Sequence, residues 1–170
     1  MHATNGMVAT VTLPTDEQIL IERQFNAPRH LVYRAFTEPE LVRRWWHAKR
    51  GKVTMVEIDL RVGGSWRYVM VTDDGTEVGF HGEYLEIIAN ERLVTTEIFE
   101  GLPEGVSEES AGTVNTATFT EIDAGTRLAI RIQAPSKLAR DMIIASGMEA
   151  GLQDALDLLE GVAAELIDVV

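Results

Sequence analysis

The 170-residue sequence contains no cysteine. That absence excludes a disulfide framework, a thiolate zinc site and a cysteine nucleophile. Aromatic residues are also few, at 6% of the chain, and basic residues are outnumbered: 15 Lys and Arg against 27 Asp and Glu, a formal charge of −12. Phosphate contacts need clustered Lys and Arg, so a general nucleic-acid binder is not expected. No run approaches the roughly 20 apolar residues that span a bilayer. Residues 1–18 lack the basic start and apolar core of a secretory signal, so a cytoplasmic location is expected. The four histidines, His2, His30, His47 and His81, show no metal-ligand spacing. Neither a nucleophile elbow nor a Ser-His-Asp order is present. No metal, cofactor or catalytic residue is therefore assigned.

The length suits one domain, and 45% hydrophobic residues can form a core without staples. Residues 1–17 read as a loose, flexible N-terminal arm and 18–168 as a single domain. A first strand is expected over 18–25. Ala27-Pro28 opens a short helix with Leu31, Val32, Ala35 and Phe36 on one stripe. Thr37-Glu38-Pro39 starts a second, running into Trp45-Trp46. From residue 52 the period changes to two, with runs at about 53–60, 65–72, 77–88, 92–99, 114–121 and 126–133. Asp74-Gly75 and Asp123-Ala124-Gly125 are hairpin turns by composition. The turn-rich stretch 100–112 reads as a mobile loop. Residues 136–167 carry a helical pattern with Met148, Leu152, Ala155, Leu156, Leu159, Val162, Ala163 and Leu166 on one face. Strands joined by short turns make an antiparallel sheet, and a long amphipathic helix must bury its stripe against it. The expected class is α+β.

Several segments resemble one family. Arg23-Gln24-Phe25-Asn26-Ala27-Pro28, Ala35-Phe36-Thr37-Glu38-Pro39-Glu40-Leu41 and Trp45-Trp46 are similar to the opening of bacterial proteins related to the C-terminal domain of the Hsp90 ATPase activator. Asp59 to Arg67, Gly82 to Ile87, Glu91 to Thr95, Gly125 to Leu128 and the helix from Met148 to Leu159 continue the likeness. It spans most of residues 20–165. The resemblance implies the helix-grip (START-like) fold shared with polyketide cyclases, lipid-transfer domains and plant pathogenesis proteins. In that fold a curved antiparallel sheet, here of about seven strands, wraps a long C-terminal helix around an apolar cavity. The chain has no length for the activator's separate chaperone-contacting domain, which argues against Hsp90 contact.

Trp66, Tyr68 and Met70 alternate with Arg67, Val69 and Val71 and so share a strand face. With Phe80 and Tyr84 they form one expected wall of a ligand pocket; Met148 and Leu152 form the other, and Trp45 joins them near the mouth, one of the Trp45-Trp46 pair anchoring the helices. The competing explanation for each is ordinary core packing. Gly147, Gly151 and Gly161 each cost about 1 kcal/mol in a helix interior, so space for a ligand or close sheet approach is expected beside them. Gly63-Gly64 is a turn, since no phosphate-loop pattern or helix follows. The basic cluster Arg43, Arg44, Lys49, Arg50 and Lys52 reads as a solvated loop, with steering of an anionic ligand the alternative. His81 and Glu83, two apart on one strand face, are the best acid–base pair, but Val78, Phe80, Gly82 and Tyr84 hold the more apolar parity. The expected function is binding of a small hydrophobic or amphipathic molecule without catalysis. A cyclase- or hydrolase-like enzyme and a chaperone- or regulator-directed interaction module are the alternatives. The resemblance also allows a homodimer, for which Val53, Val69 and Val71 offer apolar surface.

Overall fold

Side chains alternate across a strand with a period of two, and each stretch with that period becomes one. The computed structural model describes residues 8–168 except 103 and 124, without the side chains of 109, 110 and 168. After β1 (Thr10–Thr12) and β2 (Gln18–Phe25) come α1 (Arg29–Thr37) and α2 (Pro39–Val42). Four strands follow, β3 (Gly51–Ile58), β4 (Ser65–Thr72), β5 (Glu77–Ile88) and β6 (Arg92–Phe99). The chain closes with α3 (Glu108–Ala111), β7 (Thr113–Ile122), β8 (Gly125–Gln133), α4 (Lys137–Ala145) and α5 (Met148–Asp168). The strands make one antiparallel sheet in the order β1-β2-β8-β7-β6-β5-β4-β3. It is a helix-grip fold: curved sheet outside, C-terminal helix inside. No helix among the described residues is long and apolar enough to cross a membrane.

Four local readings are corrected. The stretch assigned to an N-terminal arm contains β1, which pairs with β2 in the register Thr10↔Glu22 to Thr12↔Leu20, giving eight strands rather than about seven. Residues 1–7 of that arm lie outside the described residues. The loop 100–112 contains α3. α2 ends at Val42, with Pro39 at its start, so the tryptophan pair lies in the turns that follow. The C-terminal helix is broken: α4 is capped by the Ser136 hydroxyl accepting from the Ala139 N–H, and the chain turns at Gly147, where φ is +83°. That left-handed conformation favours glycine, so Gly147 makes a corner rather than room for a ligand. Gly151 lies near Arg50, and a side chain at Gly161 would meet open space; neither faces a tight helix–sheet contact.

The core lies between α5 and the concave face. Leu156, Leu159, Val162 and Ala163 are buried against Ile19, Ile21, Phe25, Phe119 and Leu128, each large side chain contributing about 1.5–3 kcal/mol of transfer free energy. One inward position of β2 is charged. Arg23 is 3% exposed and reaches Asp157 at 3.0 Å and Glu160 at 3.2 Å on α5, with its guanidinium 4.4 Å from the Phe25 ring. Glu160 also accepts the Asn26 N–H, so this cluster fixes α5 to the β2–α1 corner. The valines considered for association are largely spent. A bulge between Val53 and Met55 turns Val53 inward opposite Met70, and Val69 is buried on the other face.

Candidate functional site

β4 and β5 hold their register through Trp66↔Gly82, Tyr68↔Phe80 and Met70↔Val78. This brings Trp66, Tyr68, Met70, Phe80 and Tyr84 to the concave face. A bulge at Leu85, between the pairs Tyr84↔Thr95 and Glu86↔Val94, comes after Tyr84 and leaves the parity of Phe80, Gly82 and Tyr84 intact. One extra residue then lets Ile87 face inward as well, opposite Leu93. Gly82 is needed where it stands. A Cβ there would lie 1.8 Å from the Thr96 carbonyl oxygen and 2.7 Å from Trp66 Nε1. Its absence lets the Trp66 indole donate to Thr96 O at 3.1 Å.

The aromatic rings form one connected group. Trp66 and Tyr68 have centroids 4.8 Å apart, Trp46 meets Tyr68 and Phe80 edge-on at 5.5 and 5.9 Å, and Phe80 meets Phe99 at 5.2 Å. Offset and edge-on contacts of this kind suit the ring quadrupoles. The tryptophan pair divides its labour, which corrects the placing of Trp45 at the site. Trp45 is buried between the short helices, donating Nε1–H to Ala35 O at 2.8 Å and packing on Phe36. Trp46 is the one that reaches the aromatic group. Met148 and Leu152, on the first turns of α5, are half-buried against the same core.

This part of the concave face is less completely covered than the rest. Tyr68, Phe80, Thr95, Glu97 and Asn115 all retain partial exposure, unlike the fully buried residues under the C-terminal half of α5. Among the described residues the Tyr68 and Tyr84 hydroxyls have no hydrogen-bond partner. Burial raises both phenols above their ordinary range, so both stay neutral donors. Glu97, Asn115, Trp46 and Phe99 were not singled out from the sequence. The signal for two of them was present: Leu93, Thr95, Glu97 and Phe99 share one parity of β6.

The acid–base candidates lie elsewhere. His81 is on the convex face, where its Nδ1 sits 2.8 Å from Glu100 Oε2, and Arg67 donates to both Glu100 oxygens at 2.8 Å. The Arg67 hydrogen bond, followed by that of His81, holds the Glu100 carboxyl below its usual range. Glu83 is exposed and makes no contact with His81; its backbone N–H donates to Thr96 Oγ1. The basic cluster is partly consumed by α5, through Arg44 to Glu165 and Arg50 to Asp154. A separate open groove of about 500 Å³ at the β2–α1 corner is lined by Asn26, Arg29, His30, Asn90 and Glu121 among others, and shares no residue with the aromatic group. Among the described residues no cluster of His, Asp and Glu is arranged to hold a metal ion.

No curated protein matches the sequence. Solved structures do. A protein from Rhodobacter sphaeroides superposes with a TM-score of 0.83 at 23% identity, covering 93% of this chain and 99% of its own. One from Chromobacterium violaceum gives 0.75 at 26% identity over 88% and 98%. The Activator-of-Hsp90-ATPase-like protein from Aeromonas hydrophila gives 0.68 at 21% identity over 85% and 92%. Residues 26–164 match the family model described as Activator of Hsp90 ATPase homolog 1-like protein. With most of the chain inside that match and the helix-grip architecture in place, the chain belongs to the Activator of Hsp90 ATPase homolog 1-like family.

Proposed function

We propose that the protein binds a small apolar or amphipathic molecule on the open part of its concave face, and that it does not transform it. The observation carrying this reading is the connected aromatic group in which Trp46, Tyr68, Phe80 and Phe99 stay partly exposed over the buried Trp66, beside two tyrosine hydroxyls that have no partner among the described residues. Half-exposed aromatics on a concave face gain by covering, and a few polar tips orient what covers them. His81 and Glu100, the closest imidazole–carboxylate pair among the described residues, stand on the opposite face of the sheet, away from that occupant.

Native mass spectrometry of freshly purified protein, followed by tryptophan-fluorescence titration with the co-purifying molecule, tests this. Trp66→Ala is expected to weaken binding by about 1–2 kcal/mol, the scale of a lost large apolar contact. His81→Ala and Glu83→Gln are expected to stay within about threefold, well under the roughly 1.4 kcal/mol that a tenfold change represents. Turnover of the bound molecule by the wild type, abolished by either polar substitution, would refute the reading.

A further inference from the structure

The aromatic group does not account for a polar row beside it. Glu97, Asn115 and Thr113 all point to the concave face, Glu97 lying opposite Thr113 and Asn115 opposite Thr95 in the β6–β7 register. The Thr113 hydroxyl donates to Asn115 Oδ1 at 2.9 Å, which turns the amide so that Nδ2 donates to Glu97 Oε1 at 2.6 Å. Thr113 is 7% exposed and Asn115 half-buried, so the row is built into the sheet. Glu97 Oε2 takes no hydrogen bond among the described residues.

What the carboxyl lacks is a cation. The titratable and polar groups around it are Tyr68 from β4, Thr95 from its own strand β6, and Asn115 and Thr113 from β7, with Tyr84 from β5 next to Tyr68. No Arg, Lys or His among the described residues pairs with it. α5, the helix that covers the concave face, contains no Lys, Arg or His. On α4, Lys137 and Arg140 are already paired with Asp141. Burial accordingly pushes the Glu97 carboxyl above its usual range, and the Asn115 hydrogen bond opposes this only in part. An unpaired carboxylate on an apolar face is costly. A bound positive charge removes that cost, and the neighbouring ring faces attract the same charge.

Resting on the binding function proposed above, we infer that the occupant is an organic cation. It is an amphipathic amine or quaternary ammonium compound with its head at Glu97 and Tyr68 and its apolar part along Trp46, Phe80 and Phe99. The acidic surface, with a formal charge of −12, favours approach of such a ligand. The arrangement disfavours a carboxylate-bearing ligand, which would set two like charges together in a poorly solvated place.

Three probes with one chain length separate the readings: decyltrimethylammonium, 1-decanol and decanoate, each at submicellar concentration in about 0.15 M salt, where surface attraction is screened beyond about 8 Å. Titrations read by tryptophan fluorescence and calorimetry are expected to rank them cation, alcohol, carboxylate, with the cation at least about tenfold tighter than the alcohol. Glu97→Gln keeps the side-chain volume and the bond from Asn115, and is expected to bring that ratio within about twofold. Glu83→Gln removes an equal charge from an exposed position and should leave the ratio unchanged. In the wild type, the trimethylammonium protons should give nuclear Overhauser contacts to the Trp66 and Tyr68 rings, a reading that does not depend on any variant folding. Equal binding of alcohol and cation leaves the cleft reading standing and overturns this one, as does a ratio that survives Glu97→Gln, falls equally in Glu83→Gln, or comes with contacts only elsewhere. Failure of all three probes to bind overturns both.

Discussion

Arg23→Met is the sharpest perturbation of the fold that carries the site. The guanidinium side chain is 2% exposed, against 18% for Glu160 and 50% for Asp157. Methionine keeps an unbranched apolar side chain and removes both ion pairs, the guanidinium's contact with the Phe25 ring and the bond to the Gln24 carbonyl. Deleting one partner of a buried pair costs about 3–5 kcal/mol when the other charge is left stranded. Here Asp157 can rehydrate, and Glu160 keeps the Asn26 N–H at 3.3 Å. The substitution also removes Arg23 Nε, a buried donor with no partner, which offsets about 1 kcal/mol. A net loss of about 2–3 kcal/mol is expected, or roughly 4–12 °C in melting temperature for a chain of this size. Thermal melts followed by far-ultraviolet circular dichroism measure it, with Lys137→Met as the control: that residue's exposed pair with Asp141 is worth under about 1 kcal/mol. If Arg23→Met melted within about 1 °C of the wild type, or above it, the ion cluster would not be what holds α5 to β2.

Trp45→Ala is expected to destabilise the fold by about 3–5 kcal/mol, as for a deleted core aromatic, whereas Trp46→Ala should mainly weaken ligand binding. Chemical denaturation and titration of both variants check the division, and equal effects on both assays would contradict it. Gly161→Ala is expected to stabilise by about 0.5–1 kcal/mol, since the added methyl meets open space in a helix interior, while Gly147→Ala should destabilise by a similar amount or more at its positive φ. Denaturant midpoints would show the opposite signs, and a common sign would refute the reading of the α4–α5 corner. Because the folded Glu100 carboxyl titrates below its ordinary value of 4.5, its contribution is present above that value and lost as pH falls through the folded one. Urea denaturation from pH 7 to 3 should therefore show a shallower acid loss in Glu100→Gln than in the wild type. Glu97 runs the other way: its stabilisation is complete below pH 4.5 and lost as pH rises through its elevated folded value, so Glu97→Gln should flatten that decline.

What the sequence determined by itself is whatever depends on local period and local backbone freedom. The alternation in 65–72, 77–88 and 92–99 specified strands at those bounds because inward and outward positions differ in transfer free energy residue by residue. It also identified Trp66, Tyr68, Met70, Phe80 and Tyr84 as one face. Period is silent where few residues share it, so β1, three residues long, and α3, four, were not legible. Nor was the break at Gly147, since the apolar spacing continues across it and only the backbone conformation ends the helix.

The tertiary structure alone decided which side chains meet. Trp45 and Trp46 are adjacent, and no local rule says which ring enters the helix pair and which reaches Tyr68. The turn after α2 settles it by rotating the two rings apart, to Ala35 and Phe36 on one side and to Tyr68 and Phe80 on the other. His81 finds Glu100 rather than Glu83 because the β5–β6 hairpin folds a carboxylate 19 residues away back beside it. Arg23 is charged at an inward position of β2, against the pattern of its strand, and only the distant Asp157 and Glu160 make it tolerable there. Glu97 stands at a similar inward position on β6 with Asn115 and, among the described residues, no cationic side chain paired with it. Pairwise contacts between charges distant in sequence have no signature in a single period, and long-range strand and helix placement is what creates them.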